Sequence, residues 1–171
     1  MAFITRMKGQ DYIDKTRVYL DYLEEHIENV RLAFCKLSKE CEGMHWVGDD
    51  YSWHALREEV IHHDLSKFSR AEFVQYRDSF FPVTDFDKAD SRMGEAWEHH
   101  KTENHHHHET IENYLDVVHM IIDWTAMSYK FGGTAQEYYE TNKDKIKLTP
   151  DHEKFMYEIF ERIALKRGEE K

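Results

Sequence analysis

Between Asp11 and Glu40, Tyr12, Val18, Tyr19, Tyr22, Leu23, Ile27, Val30 and Phe34 recur at the three- and four-residue spacing of one helix face. This predicts a long first helix. Gly43 and Gly48 bracket a loop, after which Asp50 or Ser52 is placed to cap a second helix ending near Lys67. Ser69 with Glu72 reads as a capping box opening a short helix through Phe80, and Pro82 stops it. A further helix is expected from Asp85 to Thr102, then a polar turn from Asn104 to His108. The most apolar helix follows, Glu109 to Phe131, closed by Gly132-Gly133. Thr134 with Glu137 makes a second capping box, and Thr149-Pro150 opens a terminal helix ending near Gly168. The pattern gives six or seven helices with short connections, and no repeat or linker divides residues 1–171.

Composition narrows the class. A chain of 171 residues suits one domain, and about two-thirds of its unfolded surface can be buried. Seven Gly and two Pro are few for a β-sandwich, so the expectation is an all-α fold, one compact helical domain over residues 1–171. The formal net charge of −11, with no Lys/Arg cluster, argues against gripping a nucleic-acid backbone. Cys35 and Cys41 stand six apart, neither CxxC nor a disulfide framework, and read as reduced core thiols. The opening MAFITRMKGQDY lacks the apolar stretch of a signal peptide and no segment approaches a membrane span, so a cytoplasmic protein without a membrane partner is expected.

Thirteen histidines, nine of them between His54 and His108, change the picture. Histidine binds metals and transfers protons. On a helix, His63 and Asp64 would point about 100° apart, yet the pair can still share an ion lying between their two directions. Lys67 falls on the same side, where a cation suits a phosphate oxygen. An isolated His-Asp pair is more often a surface feature. Asp123, however, lies in the apolar run Val117–Trp124, where an ionised carboxylate needs a partner or a metal, and His119 stands one turn earlier on the same face. His26, among Tyr22, Leu23, Ile27 and Val30, would alone read as a satisfied core histidine. The segment Ala96–Glu109 adds His99, His100 and His105 to His108, too many imidazoles for a solvated turn alone.

In this order the elements resemble the HD superfamily of metal-dependent phosphohydrolases, whose signature is a first-helix His, a His-Asp doublet and a downstream Asp. The signature maps to His26, His63-Asp64 and Asp123, and His63-Asp64-Leu65-Ser66-Lys67 matches the HDxxK variant. More closely, HDLSKFSRAEF, AWEHH with NHHHHE, and DWTAMSYKFG resemble a small bacterial and phage family of unknown function, over His26 to about Tyr139. The superfamily resemblance implies an HD-like helical domain with the metal site inside the bundle. Its implied ligands are His26, His63, Asp64, His100, His106, His107 and Asp123, holding one or two divalent ions among manganese, iron, cobalt, nickel, magnesium and zinc. It further implies Asp64 and Lys67 as catalytic residues, and Lys67, Lys101 and Asn104 as substrate contacts, with Arg57 and Lys130 as weaker candidates.

The leading functional expectation is a phosphohydrolase acting on a small phosphorylated molecule, a nucleotide by superfamily analogy. Two alternatives stand beside it. One is a di-iron oxygenase built on the extra histidines; the other is a non-enzymatic regulatory protein that keeps a metal-stabilised fold. A homodimer is a further expectation, from superfamily habit.

Overall fold

The computed structural model of the chain describes residues 8–42 and 51–169. These form eight α-helices and one short 3₁₀ turn, with no strand among them: α1 (Lys8–Glu40), α2 (Tyr51–Ile61), the 3₁₀ turn (Leu65–Phe68), α3 (Phe73–Phe80), α4 (Asp85–Ala89), α5 (Met93–Glu103), α6 (Tyr114–Phe131), α7 (Ala135–Asn142) and α8 (Pro150–Glu169). The all-α class follows the sequence pattern. No helix of the described residues is long and apolar enough to cross a membrane.

The chain divides into two compact units, each made of two segments. Unit 1 takes the described residues up to Glu25 together with Asp64–Glu103. Its core is Tyr19, Leu23, Tyr76 and Ala96, with Tyr22, Phe73, Phe81 and Met93 packed against them. Tyr19 meets Phe73 at a ring-centroid distance of 5.2 Å, a tilted aromatic pair. Unit 2 takes the described residues of His26–His63 and of Asn104–Lys171. Here α6 is the central element, packed by α2, α7 and α8. Val117, Val118, Met120, Ile121, Ile122 and Ala126 on α6 are all buried, together with Val30, Leu37, Leu56, Met156 and Phe160.

Along α1 the buried positions are Tyr19, Leu23, His26, Val30, Ala33 and Leu37, an alternation of four- and three-residue steps. Val18, expected on this stripe, is exposed, because it sits one residue and so about 100° away from the face set by Tyr19 and Leu23. The start of α6 also differs from expectation. The helix begins at Tyr114 rather than near Glu109, because Asn113 caps it: its side chain accepts from the Leu115 and Asp116 N–H groups, and the Asp116 side chain reaches back to the Asn113 N–H.

Three further expectations are corrected. Helix α2 ends at Ile61, six residues before Lys67, and the His63-Asp64 doublet lies on the turn that follows. Asp64 has φ 59, the left-handed conformation that Asp tolerates better than most residues, and this stops the helix. The Ser69–Glu72 capping box does not form: Glu72 makes no cap hydrogen bond and its carboxylate is buried. The helix expected over 85–102 is broken into α4 and α5 at Asp90–Arg92, where Arg92 has φ 47. That break raises the count above six or seven. Gly132 closes α6 with φ 82 and α8 starts at Pro150, as the pattern predicts, while α7 shows half of its expected box: Thr134 accepts from the Glu137 N–H, and the Glu137 carboxylate accepts from the Thr134 hydroxyl. Gly43, Gly48 and Asp50, and the side chain of Ser52, fall outside the described residues.

Candidate metal centre

In unit 2, α1 contributes His26, the turn after α2 contributes His63, and α6 contributes His119 and Asp123 from successive turns of one face. Both His26 and His63 are buried, and Asp123 keeps 16% of its side chain exposed. The three donor atoms form a triangle: His26 Nε2 to His63 Nε2 3.0 Å, His26 Nε2 to Asp123 Oδ1 3.3 Å, and His63 Nε2 to Asp123 Oδ1 3.6 Å. Two ligand atoms about 2.1 Å from one ion stand about 3.0 Å apart across a right angle and about 3.4 Å apart across a tetrahedral angle. The triangle has the edges of a coordination polyhedron. Hydrogen bonding serves it less well, since one proton on His26 Nε2 cannot point at both neighbours.

A second group shares His63. His63, His106 and His119 are all buried and have ligand atoms within 4.8 Å of one another. The Nδ1 atom of His63 lies 3.0 Å from His119 Nε2, and His119 Nδ1 lies 3.5 Å from Glu59 Oε2. His106 stacks on His63 at 4.4 Å between ring centroids, and His107 lies against His106 at 4.3 Å. Because a neutral imidazole has one lone pair in the ring plane, His63 can serve the two groups only one at a time. Buried clusters of this kind can hold a metal ion.

Unit 1 carries the other half of the doublet. Asp64 places Oδ1 3.2 Å from His100 Nε2 and accepts a hydrogen bond from Lys67 Nζ at Oδ2. His100 turns Nδ1 to Glu72 Oε2 at 2.9 Å and to Ser66 Oγ at 3.0 Å. Glu72 also receives His99 Nδ1 at 2.7 Å. Burial opposes ionisation of Glu72, but the hydrogen bonds from His100, His99 and Ser66 outweigh it and hold the carboxyl below its ordinary value. Burial likewise disfavours the His100 imidazolium, yet hydrogen bonds to Asp64 and Glu72 and the Asp64 charge raise its pKa.

Of the residues singled out from sequence, His26, His63, His106 and Asp123 come together in unit 2, with His107 beside His106, and Asp64, Lys67 and His100 come together in unit 1. Lys101 turns to Glu98 Oε1 at 2.9 Å and over the Trp97 ring. Asn104 is buried and its main-chain carbonyl accepts from the Thr110 hydroxyl. Arg57 and Lys130 are exposed. Glu72, Ser66 and Glu59 were not anticipated. The Ser69 spacing points Glu72 to a cap, and nothing in its spacing from Asp64 marks it. His119 was signalled by its four-residue spacing from Asp123.

The model of a family described as of unknown function (DUF5662) matches residues 15–162. No curated protein and no solved structure matches the chain.

Proposed function

The chain belongs to the DUF5662 family, whose function is unknown, and we propose that it is a metal-dependent phosphohydrolase acting on a small phosphorylated molecule, with nucleotides as the substrate class. The observation that carries this reading is the triangle of His26, His63 and Asp123, three donors at coordination-edge distances. They are also among the ligands that the HD resemblance implies. Two imidazoles and one carboxylate suit zinc, iron, cobalt, nickel or manganese better than the all-oxygen shells of magnesium or calcium. A bound ion supplies Lewis acidity, polarising a phosphoryl oxygen and making water a stronger acid.

The chain's own groups supply the rest. His26, His63 and Asp123 hold their donor atoms on three separate segments, so the site exists only in the folded chain. Asp64, consecutive with His63, keeps a carboxylate next to Lys67 and His100, where it can bind an ion or orient the attacking water. The Lys67 ammonium, mostly buried, offers a point charge for a phosphate oxygen. Nucleoside mono-, di- and triphosphates, each assayed with manganese, cobalt or zinc for released phosphate, provide the test. Metal-dependent hydrolysis that is lost in Asp64→Ala supports the reading; full hydrolysis in that variant removes it.

A second reading, a di-iron oxygenase, draws on the imidazole-only group of His63, His106 and His119. Anaerobic iron loading followed by oxygen separates the two: no substrate-dependent oxygen uptake and no mixed-valent signal end the oxygenase reading.

A further inference from the structure

Glu72 has no part in the chemistry proposed above, although it is a fully buried carboxylate. Burying an ionised carboxylate costs several kcal/mol unless every oxygen is engaged. Both oxygens of Glu72 are engaged, Oε1 by His99 Nδ1 at 2.7 Å and Oε2 by His100 Nδ1 at 2.9 Å. An ionised carboxylate only accepts hydrogen bonds, so the proton of each contact sits on the imidazole Nδ1. In neutral His100 this leaves the lone pair on Nε2, and that atom faces Asp64 Oδ1 at 3.2 Å. The Tyr76 and Trp97 rings, with centroids 5.7 and 5.8 Å from that of His100, hold the imidazole plane.

We propose that Glu72 is a positioning residue that locks His100 in the Nδ1–H tautomer, making His100 Nε2 and Asp64 Oδ1 a donor pair for a divalent ion. This rests on the metal-binding reading of the protein, adds His100 and Asp64 to its donors, and names the residue that orients one of them. Carboxylates that receive the second N–H of a ligating histidine act in this way. A glutamine at position 72 would keep the shape but lose the instruction, because its amide offers either an acceptor or a donor to Nδ1.

The test uses the full, untagged chain and zinc alone as the probe, in competition with a chromophoric chelator. Wild type, E72Q and H100A are compared, with circular dichroism to verify folding. E72Q is expected to bind zinc about 10- to 100-fold more weakly, the usual effect of losing an orienting partner, and H100A to bind it more weakly still. Long-range ¹H–¹⁵N spectra of the zinc-loaded wild type are expected to show His100 protonated at Nδ1. Should E72Q not fold, that spectrum alone decides. Wild-type affinity in folded E72Q, or His100 without a proton on Nδ1, overturns the assignment of Glu72 alone. A wild type that takes up no zinc overturns the metal reading with it.

Discussion

His63 turns its Nδ1 to His119 Nε2 at 3.0 Å, using the ring nitrogen that does not face Asp123. If His63 Nε2 is the ligand atom, its Nδ1–H donates to His119, and His119 Nδ1 continues toward Glu59 Oε2 at 3.5 Å. His119 then orients a ligand and is not needed as one. Accordingly, His119→Ala is expected to keep its metal with an affinity about 10- to 100-fold lower, whereas His63→Ala abolishes binding. Competition titrations on the two variants check this, and equal losses would place His119 among the ligands.

Glu72 gives a prediction about acid. Its carboxyl is held below the ordinary value of 4.5 in the folded chain. A depressed acid contributes stability that is present above its unfolded pKa and is lost as pH falls through the folded one. With metal removed by a chelator, the wild-type melting temperature should therefore fall steeply below about pH 4.5, and E72Q should show a flatter profile there. Parallel profiles for the two proteins between pH 6 and 3 would contradict the assignment.

Removing Glu72 outright is a different experiment. Glu72→Ala would leave His100 buried without the carboxylate that meets its Nδ1, and loss of one member of a buried pair costs about 3–5 kcal/mol. The urea midpoint should drop accordingly and the slope should not change.

Helix α6 carries both His119 and Asp123, so its N-terminal cap matters to the site. Asn113→Ala removes the acceptor of the Leu115 and Asp116 N–H groups and should cost about 1 kcal/mol, measured by urea unfolding. A variant as stable as the wild type would mean that packing alone fixes the start of the helix.

The same helix shows what was legible in the sequence. Its apolar run, its Gly132-Gly133 end and the four-residue spacing of His119 and Asp123 are local properties, and local spacing reads directly onto a helix face. Its start is not legible, because an unbroken polar-to-apolar gradient around Glu109 hides the Asn113–Asp116 box. The pattern misplaces the doublet for a related reason: the helical spacing continues past Ile61, and the left-handed Asp64 on the turn that follows leaves no trace in hydrophobic spacing. The triangle of His26, His63 and Asp123 joins residues far apart in sequence, and only the resemblance to a known signature suggested it. Glu72, which belongs to no such signature, was visible only after folding.

The cysteines offer an independent check of unit 2. Cys35 is exposed and Cys41 buried, and burial, with the Glu40 carboxylate adding to it, pushes the Cys41 thiol up to about 11. A thiol reagent at pH 8 should modify one cysteine rapidly in the native protein and the second only after denaturation, because the thiolate is the reactive form. Rapid modification of both would show that the packing around Cys41 is wrong.

The central claim is that His26, His63 and Asp123 hold a divalent ion, and metal content by elemental analysis tests it most directly. The protein should be untagged and purified without a nickel column, since the run His105–His108 could retain column metal. Near-stoichiometric metal in the wild type that disappears in Asp123→Ala is the predicted result. Metal that is absent and cannot be restored, or that is unchanged in Asp123→Ala, would contradict the account.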